Sequence, residues 1–141
     1  MSTYADSSFL VSLYIPNQHF RIARRLLERH GRIWLTPLHR AEWERAVARG
    51  LFQKEISASE VQAIRNKLTL HCKDGLWAEV GFPEIAFERC IQLAKQYGTR
   101  TGMATLDTLH VASALELGAE RFWTFDERQA KLARVVGLKT S

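Results

Sequence analysis

The chain has 141 residues, of which 46% are hydrophobic and 25% charged, a composition typical of globular domains that excludes disordered and fibrous classes. Its 20 Lys and Arg against 15 Asp and Glu give a net charge of +5, which favours a polyanionic partner, nucleic acid first. No apolar run approaches the roughly 20 residues that span a bilayer, no signal peptide is apparent, and Cys72 and Cys90 form no zinc or disulfide pattern. We therefore expect one domain over residues 1–141, in the cytoplasm, with no membrane partner.

Short apolar runs alternate with helical patterns along the whole chain. The predicted strands are Thr3–Asp6, Ile33–Thr36, a short one within Leu76–Phe82, Phe122–Phe125 and Leu138–Thr140. The predicted helices run from about Ser8 to Tyr14, from a cap at Asn17 to a stop at Gly31, from Pro37 to Gly50, from Ser57 to His71, from Pro83 to Gly98, from Leu106 to Leu117, and onward from Asp126. This alternation predicts an α/β fold around a mostly parallel sheet. Ligands of such sheets bind beyond the carboxyl ends of the strands.

Three aspartates lie where such a ligand would bind. Asp6 and Asp126 each end a predicted strand, so each is also a good N-cap for the helix that follows. If the two strands are parallel neighbours, both carboxylates emerge at the same edge of the sheet. Asp107 opens a largely apolar helix, where a carboxylate is costly unless it is paired, hydrogen-bonded or metal-bound, although the helix dipole favours an acid there. His110, on the same helix, is predicted to be a buried core histidine.

Glu42 is a fourth candidate, inside the helix that begins at Pro37. An ion pair with Arg45 is the ordinary interpretation, and periodicity alone does not distinguish Glu42 from Glu44. Carboxylates that converge repel by about 4 kcal/mol per pair at 4 Å and an effective dielectric near 20. A divalent cation relieves this repulsion, and oxygen ligands favour Mg²⁺ or Mn²⁺. A metal held by acids in a basic protein suits phosphodiester hydrolysis.

Arginines are concentrated in the first third of the chain. Arg21, Arg25 and Arg29 form a stripe at helical spacing, and Arg45 lies on the next predicted helix. These four residues are candidates for contacts with RNA phosphates. The alternative is a solvated face with ion pairs, for example to Glu28.

Four blocks of the sequence together resemble a PIN-domain protein, specifically a toxin of the VapC kind. The first two are YADSSFLVSLY and LTPLHRAEWERAV, and the third and fourth lie within TLDTLHVASALELGAERFWTFDE. The resemblance covers almost the whole chain and rests on the order and spacing of the blocks. It implies a PIN-like three-layer α/β/α fold with a central, mostly parallel sheet of about four or five short strands.

The resemblance also implies an activity and a site. It implies a magnesium- or manganese-dependent endoribonuclease, the toxin of a VapBC-type pair, which hydrolyses RNA through metal-activated water. The family's acidic quartet matches Asp6, Glu42, Asp107 and Asp126; Glu42 is chosen over Glu44 because it follows a small residue at the family's position. Ser8 and Thr124 match hydroxyl positions beside the acids. The implied partners are RNA, a cognate VapB-type antitoxin and a second copy of the chain.

Two alternative functions remain open at this point. A housekeeping PIN-domain RNA-processing nuclease would share every site residue with a toxin, and an adjacent small antitoxin gene would favour the toxin. A non-catalytic RNA-binding module of the same fold would bind RNA without divalent ions. A phosphoacceptor domain is set aside because no Asp ends a middle strand between Asp6 and Asp74.

Overall fold

The computed structural model describes residues 2–30 and 32–140. Its elements in chain order are β1 (Thr3–Ala5), α1 (Ser7–Tyr14), α2 (Phe20–His30), β2 (Ile33–Leu35), α3 (Pro37–Phe52), α4 (Ala58–Lys73), β3 (Trp77–Glu79), α5 (Ala86–Thr101), α6 (Thr105–Glu116), β4 (Arg121–Trp123), α7 (Glu127–Val135) and β5 (Lys139–Thr140). The strands form a central sheet in the order β3-β2-β1-β4-β5. The β1/β4, β4/β5 and β2/β3 pairs are parallel. The predicted α/β/α fold with a mostly parallel sheet is confirmed.

Strands β1 and β4 are parallel neighbours, as the argument about the aspartates required. Ala5 pairs with Trp123, and the backbone N–H of Asp6 donates to the Trp123 carbonyl at 3.0 Å. The rings of Tyr4 and Phe122 stack with their centroids 5.7 Å apart. This register brings the carboxyl ends of the two strands level, so the residues that follow them emerge at one edge.

Helix α2 begins later than the sequence predicts. The side-chain oxygen of Asn17 accepts the backbone N–H of His19 at 2.8 Å, which closes a turn ahead of the helix instead of capping it. The helix therefore begins at Phe20. The stop expected at Gly31 lies outside the described residues.

Two glycines predicted to end helices lie inside them. Gly50 is buried in α3, where a Cβ would lie 2.9 Å from the Ile56 side chain, so the glycine allows close packing and the helix continues to Phe52. Helix α5 passes through Gly98 and ends at Gly102, whose φ of 57° is the left-handed conformation of a glycine cap.

The other boundaries differ by a few residues. Thr36 is not the last residue of β2 but the N-cap of α3. Pro83 does not open α5, because its carbonyl accepts the backbone N–H of Ala86 in a turn before the helix. The predicted capping box of Ser57 and Glu60 is confirmed at the start of α4.

The chain divides into two compact units. The first unit comprises the residues up to Asp6 and those from Phe82 onward, and the second comprises Ser7–Gly81. Buried aromatic side chains occur in both, with Phe122 and Trp123 in the first unit and Trp43 in the second. That residues 1–141 form a single domain stays a prediction.

The second unit contains a hydrogen-bonded cluster that we call the aromatic network, formed by the buried Tyr14 and Trp77 and the half-buried His71. The Trp77 indole N–H donates to the Tyr14 hydroxyl, and that hydroxyl lies 2.6 Å from Nδ1 of His71. Burial raises the pKa of Tyr14 far above its ordinary value. The network buries polar atoms without a carboxylate.

Candidate active site

Three residues predicted to belong to the site meet at the carboxyl ends of β1 and β4, in the first unit. Asp6 is 7% exposed, and its Oδ2 lies 3.4 Å from the Thr124 hydroxyl oxygen. The same hydroxyl oxygen accepts the backbone N–H of Asp126 at 3.0 Å. The Thr124 side chain therefore lies between Asp6 and the backbone that follows β4.

Asp126 is the N-cap of α7, one of the two roles that the sequence left open. Its Oδ1 accepts the backbone N–H of Arg128 at 2.9 Å and that of Gln129 at 3.4 Å. The Arg128 guanidinium also lies 3.8 Å from Oδ1. This geometry fixes the orientation of the Asp126 carboxylate, and a metal-ligand role for it stays a prediction.

Gln129 is a residue of this region that the sequence analysis did not single out. Its side chain is fully buried, at 0% exposure. Its Oε1 lies 2.6 Å from the Thr124 hydroxyl, and its Nε2 donates to the backbone carbonyl of Asp107 at 3.0 Å. We call Asp6, Asp107, Thr124, Asp126 and Gln129 the acidic network.

A signal for Gln129 exists in the sequence, but it predicts a different contact. Asp126 and Gln129 have the spacing of a capping box, in which the third helical residue returns its side chain to the backbone of the cap residue. The Gln129 amide instead contacts Thr124 and Asp107. Only the packing of α7 beside α6 and the end of β4 reveals this use.

Asp107 is half-buried in the first turn of α6. The N-cap of this helix, Ala104, makes no side-chain capping hydrogen bond, and the helix dipole favours an acid in the first turn. One turn further on, His110 is 1% exposed, and its Nδ1 lies 2.7 Å from the Tyr4 hydroxyl. The prediction of a buried core histidine is confirmed.

In the second unit, the structure distinguishes the two glutamates that periodicity did not separate. Glu42 accepts a hydrogen bond from the Ser7 hydroxyl at 2.7 Å, whereas Glu44 forms an ion pair with Arg65 at 2.6 Å. Ser8, the predicted supporting hydroxyl, is exposed, and its neighbour Ser7 is buried. The roles predicted for Glu42 and Ser8 stay predictions.

The four candidate RNA-binding arginines, Arg21, Arg25, Arg29 and Arg45, are exposed. The ion pair on α2 is formed by Arg24, which lies 3.1 Å from Glu28. In the described part of the chain, none of the four candidates forms an ion pair with an acidic side chain. Their charge is therefore available to a polyanion, and RNA binding by them stays a prediction.

The acidic network has the donor chemistry of a hard cation site, because its carboxylates and hydroxyl offer oxygen ligands. Within residues 2–30 and 32–140, however, no group of three or more His, Cys, Asp or Glu side chains is arranged so that it could hold a metal ion. The types of ligand thus fit Mg²⁺ or Mn²⁺, while a converged cluster is not part of the described geometry.

The fold and this edge of the sheet define the class of protein. The chain matches the PIN domain family over residues 3–135, and it therefore belongs to that family. No curated protein matches it in sequence.

Solved structures of VapC-type toxins share the fold. The chain is similar to VapBC2 from Rickettsia felis, bound to a DNA fragment from their promoter, with 16% identity, a TM-score of 0.69, and coverage of 100% of this chain and 98% of that one. It is similar to VapC20 of Mycobacterium tuberculosis, a Sarcin-Ricin loop cleaving toxin, with 14% identity and a TM-score of 0.67. This match covers 92% of this chain and 94% of that one. It is also similar to FitAcB from Neisseria gonorrhoeae, with 18% identity and a TM-score of 0.67. This match covers 98% of this chain and 95% of that one.

Proposed function

We propose that the protein is a divalent-metal-dependent endoribonuclease and the toxin of a VapBC-type toxin–antitoxin pair. The observation that carries this proposal is the acidic network at the carboxyl ends of β1 and β4 in a PIN-domain chain. The net charge of +5 and the likeness to VapC-type structures support it. PIN-domain nucleases generally use divalent metals, and we propose Mg²⁺ or Mn²⁺ here because the ligands are oxygens.

The residues have distinct proposed roles. Asp6 and Asp107 are the principal metal ligands, and Glu42 and Asp126 complete the shell directly or through water. A bound ion of this kind polarises the phosphate and lowers the pKa of an attacking water. Thr124 places its hydroxyl oxygen beside Asp6 and accepts the backbone N–H of Asp126, and Ser8 is the second supporting hydroxyl.

The substrate is proposed to be RNA, bound through its phosphates. Arg21, Arg25, Arg29 and Arg45 offer exposed positive charge for this contact, so binding should weaken steeply as salt rises. Hydrolysis by metal-activated water needs no 2′-hydroxyl as nucleophile. Preference for RNA over DNA must therefore come from contacts that recognise the 2′-hydroxyl during binding.

The proposed partners follow the likeness to toxin–antitoxin structures. VapBC2 and FitAcB, both similar in fold, support a cognate VapB-type antitoxin for this chain. A homodimer and a cytoplasmic location complete the proposal. Separately, none of the helices among the described residues has both the length and the apolar character to cross a membrane.

Cleavage of RNA by the purified protein, freed of any antitoxin, tests the proposal. We expect cleavage with Mn²⁺ or Mg²⁺, none with EDTA, and recovery when Mn²⁺ is restored. Asp6→Asn should reduce the rate by about a hundredfold or more because it removes a metal ligand. Asp74→Asn, at an exposed aspartate that caps the end of α4, is the matched control and should cleave normally. Cleavage that persists in EDTA or in Asp6→Asn would contradict the proposal.

The two alternatives predict different results. A non-catalytic RNA-binding module would bind RNA equally well with EDTA and in Asp107→Asn, and would not cleave it. A housekeeping nuclease would cleave like a toxin, but expression of wild-type protein without an antitoxin would not arrest growth. Growth arrest by the wild type that Asp6→Asn relieves, together with new RNA 5′ ends, therefore selects the toxin.

A further inference from the structure

We propose that Gln129 is a positioning residue of the active site: its amide takes the hydroxyl hydrogen of Thr124 and thereby keeps that hydrogen from Asp6. The inference rests on the proposed function, since it assigns Gln129 a role in holding the groups around the divalent ion. Gln129 itself contacts neither the ion nor RNA in this proposal.

The side chain of Gln129 is a polar amide in a fully buried position. A buried amide is costly unless both its oxygen and its nitrogen find partners. Gln129 is fully buried, and both atoms have partners in the acidic network: Thr124 for Oε1 and the Asp107 carbonyl for Nε2. The partners are therefore part of what allows this polar side chain to lie inside the first unit.

The orientation of the amide follows from the chemistry of its partners. The Asp107 carbonyl can only accept a hydrogen bond, so the amide nitrogen of Gln129 must face it. The amide oxygen then faces Thr124, and because an amide oxygen can only accept, the Thr124 hydroxyl must donate to it.

The single hydrogen of the Thr124 hydroxyl is therefore donated to Oε1 of Gln129. The hydroxyl oxygen lies 2.6 Å from Gln129 Oε1 but 3.4 Å from Asp6 Oδ2, and the shorter distance also indicates that Gln129 is the acceptor. The backbone N–H of Asp126 donates to the same hydroxyl oxygen. The Thr124 oxygen therefore lies beside Asp6 while its hydrogen is donated to Gln129. The Thr124 hydroxyl thus does not compete with a cation for Oδ2 of Asp6.

The second amide hydrogen bond acts on another predicted ligand. Gln129 Nε2 donates to the backbone carbonyl of Asp107, and this contact ties the first turn of α6 to α7. The backbone N–H of Gln129 also reaches Oδ1 of Asp126. One buried residue therefore fixes Thr124 and the backbone of Asp107 together. Loss of such an outer partner typically lowers metal affinity or activity by 10- to 100-fold.

Gln129→Met tests the inference, because methionine has a similar length and shape but neither hydrogen-bonding group. We expect the half-saturating Mn²⁺ concentration for RNA cleavage to rise about tenfold, the KM for RNA to stay unchanged, and cleavage to recover at high Mn²⁺. Mn²⁺ affinity measured by calorimetry without RNA should fall by the same factor. Ser113→Ala is the matched control, since Ser113 is a buried residue of α6 whose hydroxyl bonds only the Leu109 carbonyl among the described contacts.

A double-mutant cycle tests the route through Thr124. Thr124→Val should weaken Mn²⁺ binding, and adding Gln129→Met should then cost less than it does in the wild-type background. If the losses of Mn²⁺ affinity from the two substitutions are additive, Gln129 does not act through the Thr124 hydroxyl, and this part of the inference is overturned. Mn²⁺ binding that is unchanged in Gln129→Met, or lowered equally in Ser113→Ala, would overturn the positioning role as a whole.

A measurement on the unmodified protein avoids any failure of the variants to fold. In NMR spectra, the Thr124 hydroxyl hydrogen should exchange slowly and lie close to the Gln129 side chain, with and without Mg²⁺. A rapidly exchanging hydroxyl, or one that points to Asp6, would overturn the inference. Failure of the proposed function gives a different result. Wild-type protein that neither binds Mn²⁺ nor cleaves RNA would contradict both the proposed function and the role of Gln129. Normal cleavage by the wild type, with Mn²⁺ affinity unchanged in Gln129→Met, would contradict only the role of Gln129.

Discussion

The two compact units each bury a hydrogen-bond network, and the networks differ in charge. The acidic network of the first unit places the buried carboxylate of Asp6 beside the side chain of Thr124, at the ends of two parallel strands. The aromatic network of the second unit joins Tyr14, His71 and Trp77 without a carboxylate. Both satisfy buried polar groups, but only the acidic network carries negative charge at the edge where ligands of α/β sheets bind.

We propose that the aromatic network serves packing and that the acidic network serves the chemistry of the site. A neutral network stabilises the fold when its donors and acceptors are paired, and its loss is felt in the free energy of unfolding. A network with carboxylates carries negative charge, which a bound cation would neutralise. Substitutions in the acidic network should therefore change metal binding and cleavage, whereas those in the aromatic network should change stability alone.

The largest effect is expected for Asp107→Asn. Cleavage should fall by about a hundredfold or more because a proposed metal ligand is lost. The free energy of unfolding should fall by no more than about 1 kcal/mol, because the amide loses only the favourable interaction of a first-turn acid with the helix dipole. Rates at saturating Mn²⁺ and denaturant titrations of the same preparations check this. A variant that loses stability and activity in parallel would place Asp107 with the packing residues.

A smaller effect is expected for Glu42→Gln, which tests the choice of Glu42 over Glu44 as the fourth acid. Cleavage should fall by about 10- to 100-fold. Glu44→Gln is the matched control on the same helix; its carboxylate pairs with Arg65 in an exposed ion pair, so its cleavage rate should stay within about twofold of wild type. Initial rates of RNA cleavage at fixed Mn²⁺ distinguish the two. Equal losses in both variants would contradict the choice of Glu42.

The smallest effect on activity is expected for Tyr14→Phe, in the aromatic network. The substitution leaves the buried Trp77 indole N–H without its acceptor, which should lower the free energy of unfolding by about 1–3 kcal/mol. Mn²⁺ affinity and the cleavage rate should not change. Urea titration together with Mn²⁺ calorimetry checks both, and a loss of Mn²⁺ affinity would break the distinction between the two networks.

The same variant gives a pH dependence with a defined sign. Burial raises the pKa of Tyr14 in the folded state, while the unfolded chain loses this proton near pH 10. Above that pH the folded state binds more protons than the unfolded state, so wild-type stability falls as pH rises, by about 1.4 kcal/mol per pH unit from this group. Tyr14→Phe lacks this contribution, and its stability should decline less steeply between pH 9 and 11.

Much of the fold could be predicted because local patterns and the global architecture agree. Alternating apolar runs, the capping box at Ser57 and the strand-ending position of Asp6 each correspond to a local physical preference. The helices predicted to end near Gly50 and Gly98 continue two and three residues further, because Gly50 packs closely against Ile56 inside its helix and Gly98 also lies inside its helix. The contact between Gly50 and Ile56, which follows the end of the helix, is not specified by the local pattern that predicts a helix stop at glycine.

The sequence by itself determined the fold class, the family resemblance and the order of the acids, because these depend on residue type and spacing. Only the tertiary structure decided which side chains meet: that Glu42 contacts Ser7 while Glu44 pairs with Arg65, and that the Gln129 amide bonds Thr124 and Asp107. Most of these hydrogen bonds join residues more than twenty positions apart in the chain, and their partners are set by helix packing and strand register. A buried polar group must find its partner in three dimensions, and spacing along the chain does not specify which one.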